Sequence, residues 1–130
     1  REEKMTEYQV LNLMQVSFIQ NSMYFVGMVL MTWLAFRMCN NVRNNPNVNL
    51  AGKLFTSIFC VFVAAFMFQV NQIGGAILNS NVALLVDMGA ASGDRMAAYL
   101  DAPLIVGGPV QTVFVLFILV FQLALVWVKE

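Results

Sequence analysis

The sequence predicts an all-α integral membrane protein with three transmembrane helices and a short extramembrane or interfacial helical segment between the second and third. Three observations lead there. The run Leu54 to Leu78 carries no charged side chain over about 25 residues, more than the roughly 20 an α-helix needs to cross a bilayer core. The chain of 130 residues is 60% hydrophobic and only 11% charged, whereas a soluble domain has about 25% charged residues. Two further apolar runs flank the first, from about Val16 to Phe36 and from Leu104 to Val128. A polar shell is missing, so lipid or neighbouring subunits must cover most of the surface. The expected layout is one membrane domain, residues 1–130, with spans of about 16–37, 53–78 and 104–128 and an outer segment 79–103.

Taken in order, Arg1 to Thr6 is a charged start, and Thr6 with Gln9 three residues on is a capping-box pattern that opens a helix at Glu7. The opening turns are amphipathic, and the apolar stretch after Met23 ends at Trp33 and Arg37, an interfacial aromatic and a basic anchor. Asn40 to Asn49 reads as a polar connector, because Pro46 and the asparagines favour turns. Asn49 is placed to cap the second helix, which enters the apolar zone at Lys53 and meets a low-propensity pair, Gly74 and Gly75, where it is expected to bend or end. In the outer segment Asp87, Asp94, Arg95 and Asp101 forbid another crossing. Asn79 or Ser80 is a candidate cap for one short helix and Ser92 for another, stopped by Pro103. The third span has Pro109 in its first turns and Trp127 with Lys129 at its far end. Because the chain starts at Arg1, a piece upstream is expected.

The second span has two unlike faces. Ser57, Cys60, Ala64, Met67, Asn71 and Gly74 follow alternating steps of three and four and form a mostly small or polar helix-packing seam. Phe55, Phe59, Phe62, Phe66 and Ile73 make a bulky opposite stripe. Aligned by depth, Gln20, Asn21 and Ser22 of the first span, Gln69, Asn71 and Gln72 of the second, and Gln111 and Thr112 of the third share the outer half. Gln122 is a lone amide in the apolar inner half, on one face with Gln111, Val115 and Ile118, and that face is expected to be buried in protein. The polar layer reads first as interhelical glue and second as the lining of a polar pocket or passage.

Several chemistries are excluded or disfavoured. There is no histidine, which removes the commonest general base and zinc ligand, and formal net charge is zero, so there is no nucleic-acid footprint. Apart from Arg37 and Lys53 at the span ends, no carboxylate, lysine or arginine lies inside a span, which argues against a proton relay or voltage sensor. Cys39 and Cys60 form no CxxC pair, and Cys60 reads as a small packing residue of the seam. Asp87, Asp94 and Asp101 recur every seven residues, but Gly89 and Gly93 interrupt a continuous helix, so a solvated face is preferred to a cation site. The nine methionines are scattered and read as core filling rather than copper ligands.

No catalytic, cofactor-binding or metal residues are therefore assigned, and no cofactor is expected beyond bound lipid. The expected role is that of a non-catalytic accessory or structural subunit, stabilising or positioning a catalytic or transporting neighbour in a larger membrane complex. The alternative is a small homo-oligomeric channel or carrier lined by the outer amides. Partners are thus larger membrane subunits, lipid or further copies of the chain, and not nucleic acid. A bacterial inner (plasma) membrane is expected, with loop 38–52 and the C-terminus cytoplasmic, since Arg37, Arg43, Lys53 and Lys129 outnumber Arg1, Lys4 and Arg95 on the other side.

Overall fold

In a computed structural model, which describes residues 4–128, the chain is all helical. Helix α1 covers Glu7–Asn44, α2 Leu50–Asp87, α3 Ala91–Ala97 and α4 Pro109–Trp127, with a 3-10 turn at Ala98–Asp101 after α3. No strand occurs among the described residues. Helices α1, α2 and α4 are each long and apolar enough to cross a bilayer, which points to a membrane location.

Local chemistry accounts for most of the helix boundaries. At the start of α1 the Thr6 hydroxyl accepts from the Gln9 backbone N–H at 3.3 Å and Gln9 Oε1 accepts from the Thr6 backbone N–H at 3.0 Å, closing the capping box. The Asn49 side chain accepts from Gly52 N at 2.8 Å and caps α2. Pro109 is the first residue of α4, where its missing N–H leaves no helical bond unmade.

Four boundaries differ from the sequence reading. Helix α1 runs through Asn40 to Asn44 before the chain turns at Pro46, because Cys39 and Val42 are buried on its inward face and hold those last turns. Helix α2 continues unbroken through Gly74 and Gly75 to Asp87, so residues 79–87 of the expected outer segment extend α2. Both glycines are buried against a neighbouring segment, and packing there outweighs their low propensity. Apolar residues 104–108 are a chain of turns and not the start of a span, since Gly107 takes φ +76°, outside any right-handed helix. Neither Asn79 nor Ser80 caps a helix, both lying inside α2, and Ser92 lies inside α3, whose N-cap is Ala90.

The antiparallel pair α1 and α2 forms a hairpin, and α4 packs against both. At 38 residues each, α1 and α2 are about 57 Å long, nearly twice a hydrocarbon core of about 30 Å. Helix α4, at 19 residues, is about 28 Å long and only just spans it. The extra length of the pair is put to use at both ends. At the turn end, Ala35, Cys39, Val42, Cys60 and Val126 form a buried cluster sealed by Val48, Phe59, Leu119 and Leu125. At the opposite, cap end, Met14, Leu78 and Val82 form a second cluster under Leu100, Met96, Ile105 and Val106. The cap is tied to the start of α1 by Ser92, whose hydroxyl donates to the Glu7 carboxylate.

Aromatic and basic side chains mark the turn-end boundary. Arg37 lies over the Trp33 ring at 5.6 Å and Lys53 over Trp127 at 5.6 Å, and Trp127 Nε1 donates to Ser57 Oγ at 2.8 Å. Arg1 and Lys129, assigned to opposite sides by their place in the sequence, lie outside the described residues.

Candidate functional site: a glycine notch and an amide groove

The segment Val106–Gly107 is non-helical backbone wedged against α2, and two glycines make room for it. A Cβ on Gly75 would stand 3.0 Å from Val106 O and 3.2 Å from Gly107 Cα, and one on Gly74 would stand 2.7 Å from Val106 Cγ2. Gly107 in turn would meet Asn71 O at 2.9 Å if it carried a Cβ. Irregular backbone near membrane depth must have its polar groups satisfied by protein. Here amides do so: Gln111 Oε1 accepts from Gly107 N at 3.1 Å and Gln72 Nε2 donates to Gly107 O at 3.4 Å. Thr112 Oγ1 donates to Gly108 O at 3.4 Å.

The polar layer therefore divides into groups with different work. Gln72, Gln111 and Thr112 serve the wedge. Asn21 Nδ2 donates to Val70 O at 3.3 Å and joins α1 to α2. Ser22 turns back to Phe18 O of its own helix and is exposed. Asn71 is buried beside the wedge. Gln20 and Gln69 are exposed, and among the described residues neither side chain makes a hydrogen bond within the chain. Gln122 sits apart, 1% exposed, and donates from Nε2 to Thr32 O at 3.4 Å on α1. Of the seam residues on α2, Cys60, Met67, Asn71 and Gly74 are buried, while Ser57 and Ala64 are half-buried. The opposite Phe55, Phe62, Phe66 and Ile73 are exposed, and Phe59 packs against the turn-end cluster.

Gln20 and Gln69 face the same hollow. It is a groove of about 470 Å³ between α1 and α2, lined by Ser17, Gln20, Asn21, Tyr24 and Met28 from one helix and Phe66, Gln69, Val70, Ile73 and Ile77 from the other. Gln69 lies sixteen residues beyond Lys53, about 24 Å at helical rise, and Gln20 seventeen residues before Arg37, about 25 Å. Both amides thus lie nearer to the basic residues of the turn end than the thickness of a hydrocarbon layer, about 30 Å. A second hollow of about 440 Å³ lies on the other flank of α2, between Gln72, Asn79, Leu100 and the wedge.

The remaining candidates fall elsewhere. Asp87, Asp94 and Asp101 are exposed and belong to three different elements, α2, α3 and the 3-10 turn. Among the described residues no set of three or more His, Cys, Asp or Glu could hold a metal ion. Cys39 and Cys60 are brought together, with their sulfurs 3.2 Å apart. That pairing and the Val106–Gly107 wedge were not read from the sequence. The run Gly107-Gly108-Pro109 was the one local signal for the wedge, whereas nothing local points from Cys39 to Cys60. In comparisons with protein families, with characterised proteins and with solved structures, none matches this chain.

Proposed function

We propose that the protein is a non-catalytic accessory subunit of a larger membrane complex, and that it holds a transmembrane helix of a larger neighbour in the α1–α2 groove. One observation carries the reading: Gln20 and Gln69 turn amides with no partner among the described residues to the outside of the chain at hydrocarbon depth. Lipid tails offer them no hydrogen bond, and an unpaired amide in hydrocarbon costs several kcal/mol. A neighbouring helix bearing hydroxyl, amide or exposed carbonyl groups would supply both donors and acceptors, and Tyr24, Phe66 and Ile73 would pack its apolar flanks. The support for a positioning role is that Asn21, Gln72, Gln111 and Gln122 are engaged in holding the chain's own fold, whereas Gln20 and Gln69 are not.

The expected membrane is a bacterial inner membrane; placing the Asn45–Asn49 turn in the cytoplasm rests on Arg37, Arg43 and Lys53 near that end against Lys4 and Arg95 at the cap. The test is recovery of the full chain from its native membrane in lipid particles, followed by native mass measurement. A larger protein should accompany the wild-type chain. The double variant Gln20→Leu/Gln69→Leu should bind it at least several-fold more weakly, since each interhelical hydrogen bond contributes about 0.6–1.7 kcal/mol. A symmetric ring of copies would establish the homo-oligomeric alternative instead, and a solitary chain would overturn both.

A further inference from the structure

We propose that Cys39 and Cys60 are a peroxide-oxidisable dithiol that closes to an intramolecular disulfide and staples α1 to α2 at the turn end. The two sulfurs approach to 3.2 Å from different helices, 21 positions apart in sequence. Both residues are 0% exposed, and both are free thiols. Disulfide sulfurs are about 2.05 Å apart, so closure asks for a movement of roughly 1 Å, within reach of side-chain torsions. Their surroundings are apolar, with Ala35, Val42 and Val126 in the same cluster, so among the described residues no competing metal ligand or acidic group faces either sulfur.

A small, uncharged hydroperoxide is the class of oxidant that can cross such a shell. One cysteine gives up its thiol proton as its sulfur attacks the peroxide, and that proton ends on the departing oxygen. An S–O bond forms as the O–O bond breaks, giving a sulfenic acid and hydroxide, which takes up a proton to become water. The second sulfur then attacks the sulfenic sulfur. The S–S bond forms, the S–O bond breaks, and the hydroxyl leaves with the second thiol's proton as another water. Two thiols have lost two electrons and one peroxide has gained them. The bridge would lie one cluster away from the groove, so it stiffens the hairpin without touching Gln20 or Gln69.

The experiment uses the full chain in lipid nanodiscs, treated with hydrogen peroxide, unfolded in detergent and alkylated with a maleimide, then weighed intact and after peptide mapping. The expected product has lost two hydrogens, takes up no maleimide, and yields one linked peptide joining Cys39 to Cys60. It should also unfold at a higher temperature than the reduced chain, and a dithiol reductant should reverse both changes. The single variants Cys39→Ser and Cys60→Ser should form no such linkage and keep their reduced-state unfolding temperature after peroxide. The proposal is overturned if folded wild-type protein still takes two maleimides after peroxide, if the sulfurs proceed to sulfinic acids without linking, or if the bridges join separate copies.

Discussion

At the scale of single residues, Gly107 is constrained both by its backbone and by its neighbours. Its φ of +76° disfavours any side chain, and the added Cβ would press on Asn71 O at 2.9 Å. Gly107→Ala should therefore cost about 1–3 kcal/mol, read as a lowered midpoint of detergent or thermal unfolding. Gly27 is the control. It lies within α1, and a methyl group added at its Cα would meet nothing within 4 Å, so Gly27→Ala should be neutral or up to about 1 kcal/mol stabilising. Equal losses in both variants would mean that the wedge does not set the requirement. Hydropathy conceals this difference, because Leu104, Ile105 and Val106 score as membrane span while the glycine after them turns the chain. Residue type alone likewise made Gly74 and Gly75 a breaking point. In the fold they are a notch, and the backbone that fills it is about thirty residues away in sequence.

At the scale of the element, α2 shows what periodicity can and cannot convey. Its buried positions, including Cys60, Val63, Met67, Val70, Gly74, Leu78, Val82 and Leu85, advance in steps of three and four. The small and polar residues among them were visible as a stripe, but Val63, Val70 and Leu78 were not, since aliphatic side chains look the same facing a helix or lipid. Helix α4 joins this face through Gln122, beside a small void lined by Thr32, Val63 and Met67. Gln122→Ala would lose the bond and enlarge the void, at about 1–3 kcal/mol, whereas Gln122→Leu should stay within about 1 kcal/mol; the unfolding midpoint separates them. At the other end, α3 has seven residues and no side-chain cap, and the Ser92–Glu7 bond adds to the apolar packing of Met96, Ala97 and Leu100. Ser92→Ala should leave the unfolding midpoint nearly unchanged while hastening amide exchange across 91–101. Exchange as slow as in the wild type would show that the cap is held by its apolar contacts alone.

For the whole molecule, composition was enough to give the all-helical membrane class, because a chain this apolar has few other ways to satisfy its backbone in lipid. Helix lengths were less legible, since the polar ends of α1 and α2 look like loops in composition and are helical through contacts with each other. The arrangement puts the Asn45–Asn49 turn and the α3 cap at opposite ends of the hairpin. Asn47→Cys and Asp101→Cys, each in a Cys39→Ser/Cys60→Ser background, should accordingly react with a membrane-impermeant maleimide from opposite faces of sealed vesicles. Labelling of both from one face would contradict three crossings.

The shortness of α4 also has a consequence in time. During synthesis α1 and α2 are complete before Pro109 is made, and their contact surface at Val63 and Met67 must wait in the membrane without its third helix. Gln122 lies in the last third of α4 and meets Thr32 only once most of that helix has been made. A newly made α1–α2 hairpin therefore has its Val63 and Met67 face uncovered by α4 until that helix follows.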